Sequence, residues 1–129
     1  MYRKFLVAGT LFGLLAVILG AFAAHGLKGT ISTDALNSFE TGVRFQMYHA
    51  FLLLIIGVSG SFSEKTLNTV FYLIVIGTVL FSGSIYLLST GSVFAVDFTS
   101  IALLTPLGGS LLIIGWVILL LKFIKLKKK

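Results

Sequence analysis

The chain has 129 residues, 57% of them hydrophobic and 11% charged, with a mean hydropathy of +1.09. Water-soluble domains carry about 25% charged residues, so this composition excludes an ordinary soluble fold and points to one domain, 1–129, embedded almost entirely in a bilayer. The net charge of +6 stands beside a complete lack of cysteine, which excludes a disulfide framework and thiolate chemistry.

A bilayer core of ~30 Å takes about 20 apolar residues per helix. Residues 5–24 meet that requirement without a charged side chain. Their end, Gly20-Ala21-Phe22-Ala23-Ala24-His25-Gly26-Leu27, looks like a signal-peptidase site. The apolar stretch is long enough to span, however, and its small residues run on to Ala23, so the segment is expected to stay as a first span. Gly26 is expected to end that helix, with His25 at the polar rim.

The next segment, about 33–44, predicts an amphipathic helix in the first extracytoplasmic loop. Ser32 or Thr33 can cap it, and Asp34 suits its first turn. From Leu36, the apolar residues Phe39, Val43, Met47 and Ala50 recur at helical spacing, while Asn37, Glu40, Thr41, Arg44 and Tyr48 share a neighbouring arc. This helix runs into a second span, about 45–62, whose purely apolar part, Ala50 to Val58, is too short to cross alone. A third span is expected at 67–88 and a fourth at 101–121, with Pro106 in its first turns, where a missing N–H costs little. The fold class is therefore an all-α, integral membrane four-helix bundle with an additional loop helix.

Lysine and arginine set the orientation. With the N-terminus inside, Arg3, Lys4, Lys65 and five C-terminal lysines collect on the cytoplasmic side, leaving Lys28 and Arg44 outside. Both termini are expected in the cytoplasm of a cell-membrane protein. The basic clusters flank apolar runs, so membrane lipids are the expected partners and nucleic acid is not.

Small residues are the packing devices. Gly9, Gly13, Ala16, Gly20 and Ala23 share one face of the first span, and close backbone approach is a main source of helix association in lipid. Ser82-Gly83-Ser84 and Gly108-Gly109 are the candidate partners of that face in plain bundle packing; the alternatives are the dimer interface of a homo-oligomer or a gating hinge.

The polar candidates are His25, Glu40, Arg44, Gln46, Tyr48 and His49. Glu40 and Arg44 have the spacing of a helical ion pair. His25 and His49 are both placed near the outer rim, where they can approach one another. Three roles compete: hydrogen bonding between helices, a proton-coupled transport or channel site, and haem or metal binding through two histidines. A zinc site needs more ligands than the histidines provide, so no metal or other cofactor is expected. No nucleophile–base arrangement or phosphate loop is present, and no enzyme activity is expected. Small multidrug transporters have similar size, but this first span lacks the acid on which they work.

Four blocks resemble a known family. Gly20-Ala21-Phe22-Ala23-Ala24-His25 is similar to the GAFGAH signature of the YgdD/YwdK family of small bacterial membrane proteins, domain-of-unknown-function family 423, whose animal relative is transmembrane protein 256. The segments Thr41 to Ala50, Leu80 to Tyr86 and Thr105 to Gly109 continue the resemblance, with Gly115-Trp116 beyond. Ala23 replaces the family's usual glycine, and Phe45 an aromatic that is often tyrosine. The resemblance implies a multi-pass plasma-membrane protein, makes His25, Gln46 and His49 part of a shared pattern, and supplies no catalytic residue.

Overall fold

The computed structural model describes residues 2–126 and contains four long helices. Helix α1 (Arg3–Phe22) continues through one wide π-helical turn, Ala23–Leu27. Helix α2 covers Thr33–Ser59 and α3 covers Glu64–Phe94. A short 3-10 turn, Thr99–Ile101, leads into α4, Leu104–Ile124. All four are long and apolar enough to cross a membrane, and no strand occurs among the described residues. The protein is an all-α membrane bundle, as composition and spacing require.

Local chemistry sets the boundaries. Ser32 Oγ accepts from the Ala35 N–H at 3.1 Å, and Ser63 Oγ accepts from the Thr66 N–H at 3.3 Å, so α2 and α3 both start on a serine cap. Helix α2 ends at Gly60, whose φ of 61° is left-handed, and not at residue 62. Gly26 does not end the first helix. The chain turns at Gly29, with φ 84°, and the Thr30 N–H returns to Leu27 O at 2.9 Å.

The expected loop helix runs into the second span, as its apolar stripe predicts. Residues 33–44 and the second span form one unbroken helix of 27 residues. Its rise is ~40 Å against a hydrocarbon core of ~30 Å, and its polar first turns, Thr33 to Arg44, are the part least suited to lipid.

Backbones approach closely in three pairs, α1 with α2, α2 with α3 and α3 with α4. Across the remaining α1–α3 seam, side chains meet: Lys4 Nζ donates to Asn68 Oδ1, and the Phe5 and Phe71 rings lie 5.1 Å apart. The core sits between the pairs, with Phe5, Leu53, Val70 and Ile74 fully buried.

The small-residue face of α1 packs on α2 and not on α3 or α4. A Cβ at Gly9 would lie 2.9 Å from Ala50 O, one at Gly13 3.9 Å from Ala50 Cβ, and one at Gly20 3.5 Å from Val43 Cγ1. Ala16 and Ala23 are buried on the same side. A short connection makes α1 and α2 antiparallel neighbours, so the nearest helix takes the groove. Gly108 belongs to a second, tighter contact, where a Cβ would meet Phe81 N and would lie 2.7 Å from Gly77 O on α3. Gly109 reaches only the Phe81 ring, at 3.5 Å, and Gly83 has no atom within 4 Å of a Cβ, so neither is a close helix contact. The three C-terminal lysines of the expected basic tail, 127–129, lie outside the described residues.

Candidate functional site

Helix α2 has the lowest mean hydropathy of the four spans and carries polar side chains on its buried face. Gln46 and His49 are one turn apart, so both point inward. In lipid, each polar group must find a partner within the protein.

Gln46 links three helices. Its Nε2 donates to Phe12 O on α1 at 2.8 Å, and its Oε1 accepts from Tyr86 O–H on α3 at 2.6 Å. Close by, Ser82 O–H donates to Gly42 O at 2.7 Å, tying α3 to α2 a second time. Gly42 is the α2 carbonyl partner, and a Cβ there would lie 2.8 Å from the Tyr86 ring.

His49 links α2 to α4. Trp116 Nε1 is a donor only, and it donates to His49 Nε2 at 3.0 Å. The other nitrogen, Nδ1, lies 2.6 Å from Phe45 O and therefore carries the proton it donates to that carbonyl. Both ring nitrogens are engaged inside the protein, in the neutral Nδ1–H tautomer. The Trp116 ring meets the imidazole edge-on, with centroids 6.0 Å apart. Beyond these, Ser84 Oγ pairs with Thr105 Oγ1 between α3 and α4.

Of the six residues of the expected cluster, only two take part in this interior network. Gln46 and His49 are both buried, bonding to different neighbouring helices, whereas His25 lies exposed on the π-helical turn at the outer end of α1. His49 faces the level of α1 marked by Gly9 and Phe12, so the two histidines are separated by roughly 20 Å along the helix axis. Their shared place on the outer rim is therefore corrected: only His25 is there, and no two-histidine clamp forms. Glu40 is half-buried, and Arg44 is exposed with its Nη2 donating to Thr41 Oγ1 at 2.9 Å. The Thr41 hydroxyl three residues earlier, and not Glu40 four residues earlier, is the acceptor that Arg44 takes. Tyr48 is exposed on the lipid-facing side, its ring 5.7 Å from that of Phe45. No group of three or more metal-ligating side chains occurs among the described residues.

The partners that complete this network, Tyr86, Ser82 and Trp116, were not among the candidate polar residues. A signal for them exists in the sequence: Trp116 is the single tryptophan, and both aromatics bring a polar tip into an otherwise apolar span. What the sequence does not show is which helix each tip faces.

Four membrane-crossing helices tied together by buried side-chain hydrogen bonds define a multi-pass membrane protein. A family model described as "Protein of unknown function (DUF423)" matches residues 19–109. The chain is 40% identical to a UPF0382 membrane protein of Staphylococcus aureus, an alignment covering 95% of this chain and 97% of that one. It is 39% identical to the UPF0382 membrane protein YwdK of Bacillus subtilis, covering 95% and 98%, and 36% identical to one from Haemophilus influenzae, covering 91% and 90%. The chain belongs to this DUF423 family of membrane proteins. No solved structure matches it.

Proposed function

We propose that the protein is a non-catalytic, multi-pass protein of the cell membrane with a structural or membrane-homeostasis role, both termini facing the cytoplasm. The observation that carries this reading is the state of His49. Both its nitrogens are committed to protein partners at 2.6 and 3.0 Å, in a contact that joins two helices. A proton relay needs partners that can both give and take a proton, whereas a backbone carbonyl only accepts and an indole N–H only donates. The residues suggested for transport support the same reading, because Glu40 and Arg44 do not gather with His49 around a shared cavity. The asymmetry of basic residues supports the orientation.

His49→Ala is expected to lower thermal stability in detergent by about 1–2 kcal/mol, through loss of the Trp116 hydrogen bond and a cavity left between α2 and α4. Pairing it with Trp116→Phe in a double-mutant cycle measures the bond itself. Unchanged stability in His49→Ala, or a pH-dependent flux in liposomes that disappears with that substitution, would overturn the reading.

A further inference from the structure

At the end of the bundle where α2 and α4 begin, these two helices flank α3 without a close backbone approach of their own. The space between them is an open cavity of about 440 Å³, within the roughly 300–1,000 Å³ usual for small-ligand sites. Asp34 and Ser38 of α2, Ser89 of α3 and Thr105 of α4 line it, beside an apolar wall of Ile85 and Leu88.

The polar wall consists mainly of acceptors. Ser84 gives its only proton to Phe81 O at 3.0 Å, so the hydrogen bond between Ser84 and Thr105 uses the Thr105 proton. Thr105 therefore offers the cavity lone pairs alone. Asp34 is a second acceptor, and it is free of the capping role, because Ser32 takes the Ala35 N–H. Both Asp34 and Ser38 are exposed. Ser89 is only 7% exposed, yet its hydroxyl has no protein partner among the described residues. The neighbouring Thr90 makes the ordinary helical bond to the carbonyl four residues earlier, at 2.7 Å. Nor is Ser89 sealed in the manner of Thr78, whose Oγ1 is both unpartnered and closed to solvent. The Ser89 oxygen opens onto the cavity it lines.

No lysine or arginine lines this space, and its single carboxylate is too few for a hard divalent cation. One negative charge among neutral lone pairs matches a group with one positive charge and several N–H donors. The apolar wall matches a hydrocarbon stem. We propose that the cavity binds a primary ammonium group carried on a short apolar stem, with Asp34 as counter-charge and Thr105 and Ser89 as acceptors. This goes beyond the structural role proposed above and uses neither Gln46 nor His49.

The test is a calorimetric titration of the full chain, in phosphatidylcholine nanodiscs at neutral pH, with phenethylamine. Wild type should bind saturably, and empty discs should not. Asp34→Asn, which leaves the Ser32 cap in place, should weaken binding about tenfold through loss of the charge-assisted contact. Ser89→Ala should weaken it about threefold. Phenethyl alcohol, with the same stem and no charge, should not compete. Repeating the titration with phosphatidylethanolamine in the discs separates two sources of the amine. A weakened apparent affinity would assign the site to a lipid headgroup, and an unchanged one to a water-borne amine. Absence of saturable binding to wild type, equal affinity in Asp34→Asn, or equal competition by the alcohol would each overturn the proposal. Should Asp34→Asn fail to fold, an unaltered affinity in Ser89→Ala would do the same.

Discussion

The α3–α4 and α1–α2 interfaces both use glycine, yet they are built differently. At Gly108 the neighbours of an added Cβ are backbone atoms of α3, Phe81 N and Gly77 O. Backbone in a helix cannot move aside without moving the helix. At Gly9 the neighbours are Ala50 O and the flexible Leu54 side chain, each at 2.9 Å, and further along at Gly13 the nearest atom is 3.9 Å away. The first contact is therefore backbone against backbone, whereas the second loosens along its length into ordinary side-chain packing. A small residue in a span marks a close approach only where the facing atoms cannot yield.

The most severe break should come at Gly108. Gly108→Ala is expected to destabilise the protein by about 3 kcal/mol or more, the upper range for overpacking, because α4 must move off α3. Thermal unfolding in detergent checks it, and a loss below that of Gly9→Ala would reverse the ranking of the two interfaces. Gly9→Ala should cost on the order of 1–2 kcal/mol, since Leu54 can change rotamer but Ala50 O cannot shift freely. Gly13→Ala should be neutral or slightly stabilising, with open space at 3.9 Å and a helix-propensity gain below ~1 kcal/mol. A marked loss there would mean that α1 and α2 are tighter at this point than the geometry indicates.

The smallest effect belongs to the connection between α3 and α4. Asp97 Oδ1 accepts from the Thr99 N–H at 3.0 Å and from the Thr99 hydroxyl, which holds the carboxyl below its usual range. A depressed carboxylate contributes stability above its unfolded pKa and loses it as pH falls through the folded value. Asp97→Asn should therefore be slightly less stable than wild type at neutral pH, and the two should converge in acid. A difference that persists at low pH would assign the effect to the turn's shape and not to its charge.

Much of this architecture is legible in the sequence, for a specific reason. Crossing a bilayer requires about 20 apolar residues with their backbone bonds made internally, so the helices at 3–27 and 64–94 contain the expected spans, while α4, 104–124, starts three residues later than the expected 101–121 because a 3-10 turn at Thr99–Ile101 precedes it. The serine cap at Ser32 and the amphipathic stripe of α2 are local patterns and are read equally well. The run of that helix across residues 44 and 45 is legible too, because the stripe Phe39, Val43, Met47 and Ala50 keeps helical spacing through the change in polarity. The candidate site is legible only in part. Gln46 and His49 could be recognised as polar groups needing partners, but Tyr86 and Trp116 lie 40 and 67 residues away in the chain.

Composition and hydropathy alone determined that this protein lives in a membrane, with four spans and a polar stretch in the second. They determined too that Gln46 and His49 could not remain unpaired at depth. Only the tertiary structure decided who pairs with whom. It separated His25 from His49, gave the α1 small-residue face to α2, and left Ser89 without a protein partner on the wall of a cavity. The physical reason is that burial in lipid is a property of each segment's own side chains. Partner choice depends on helix order and rotation, which no single segment encodes.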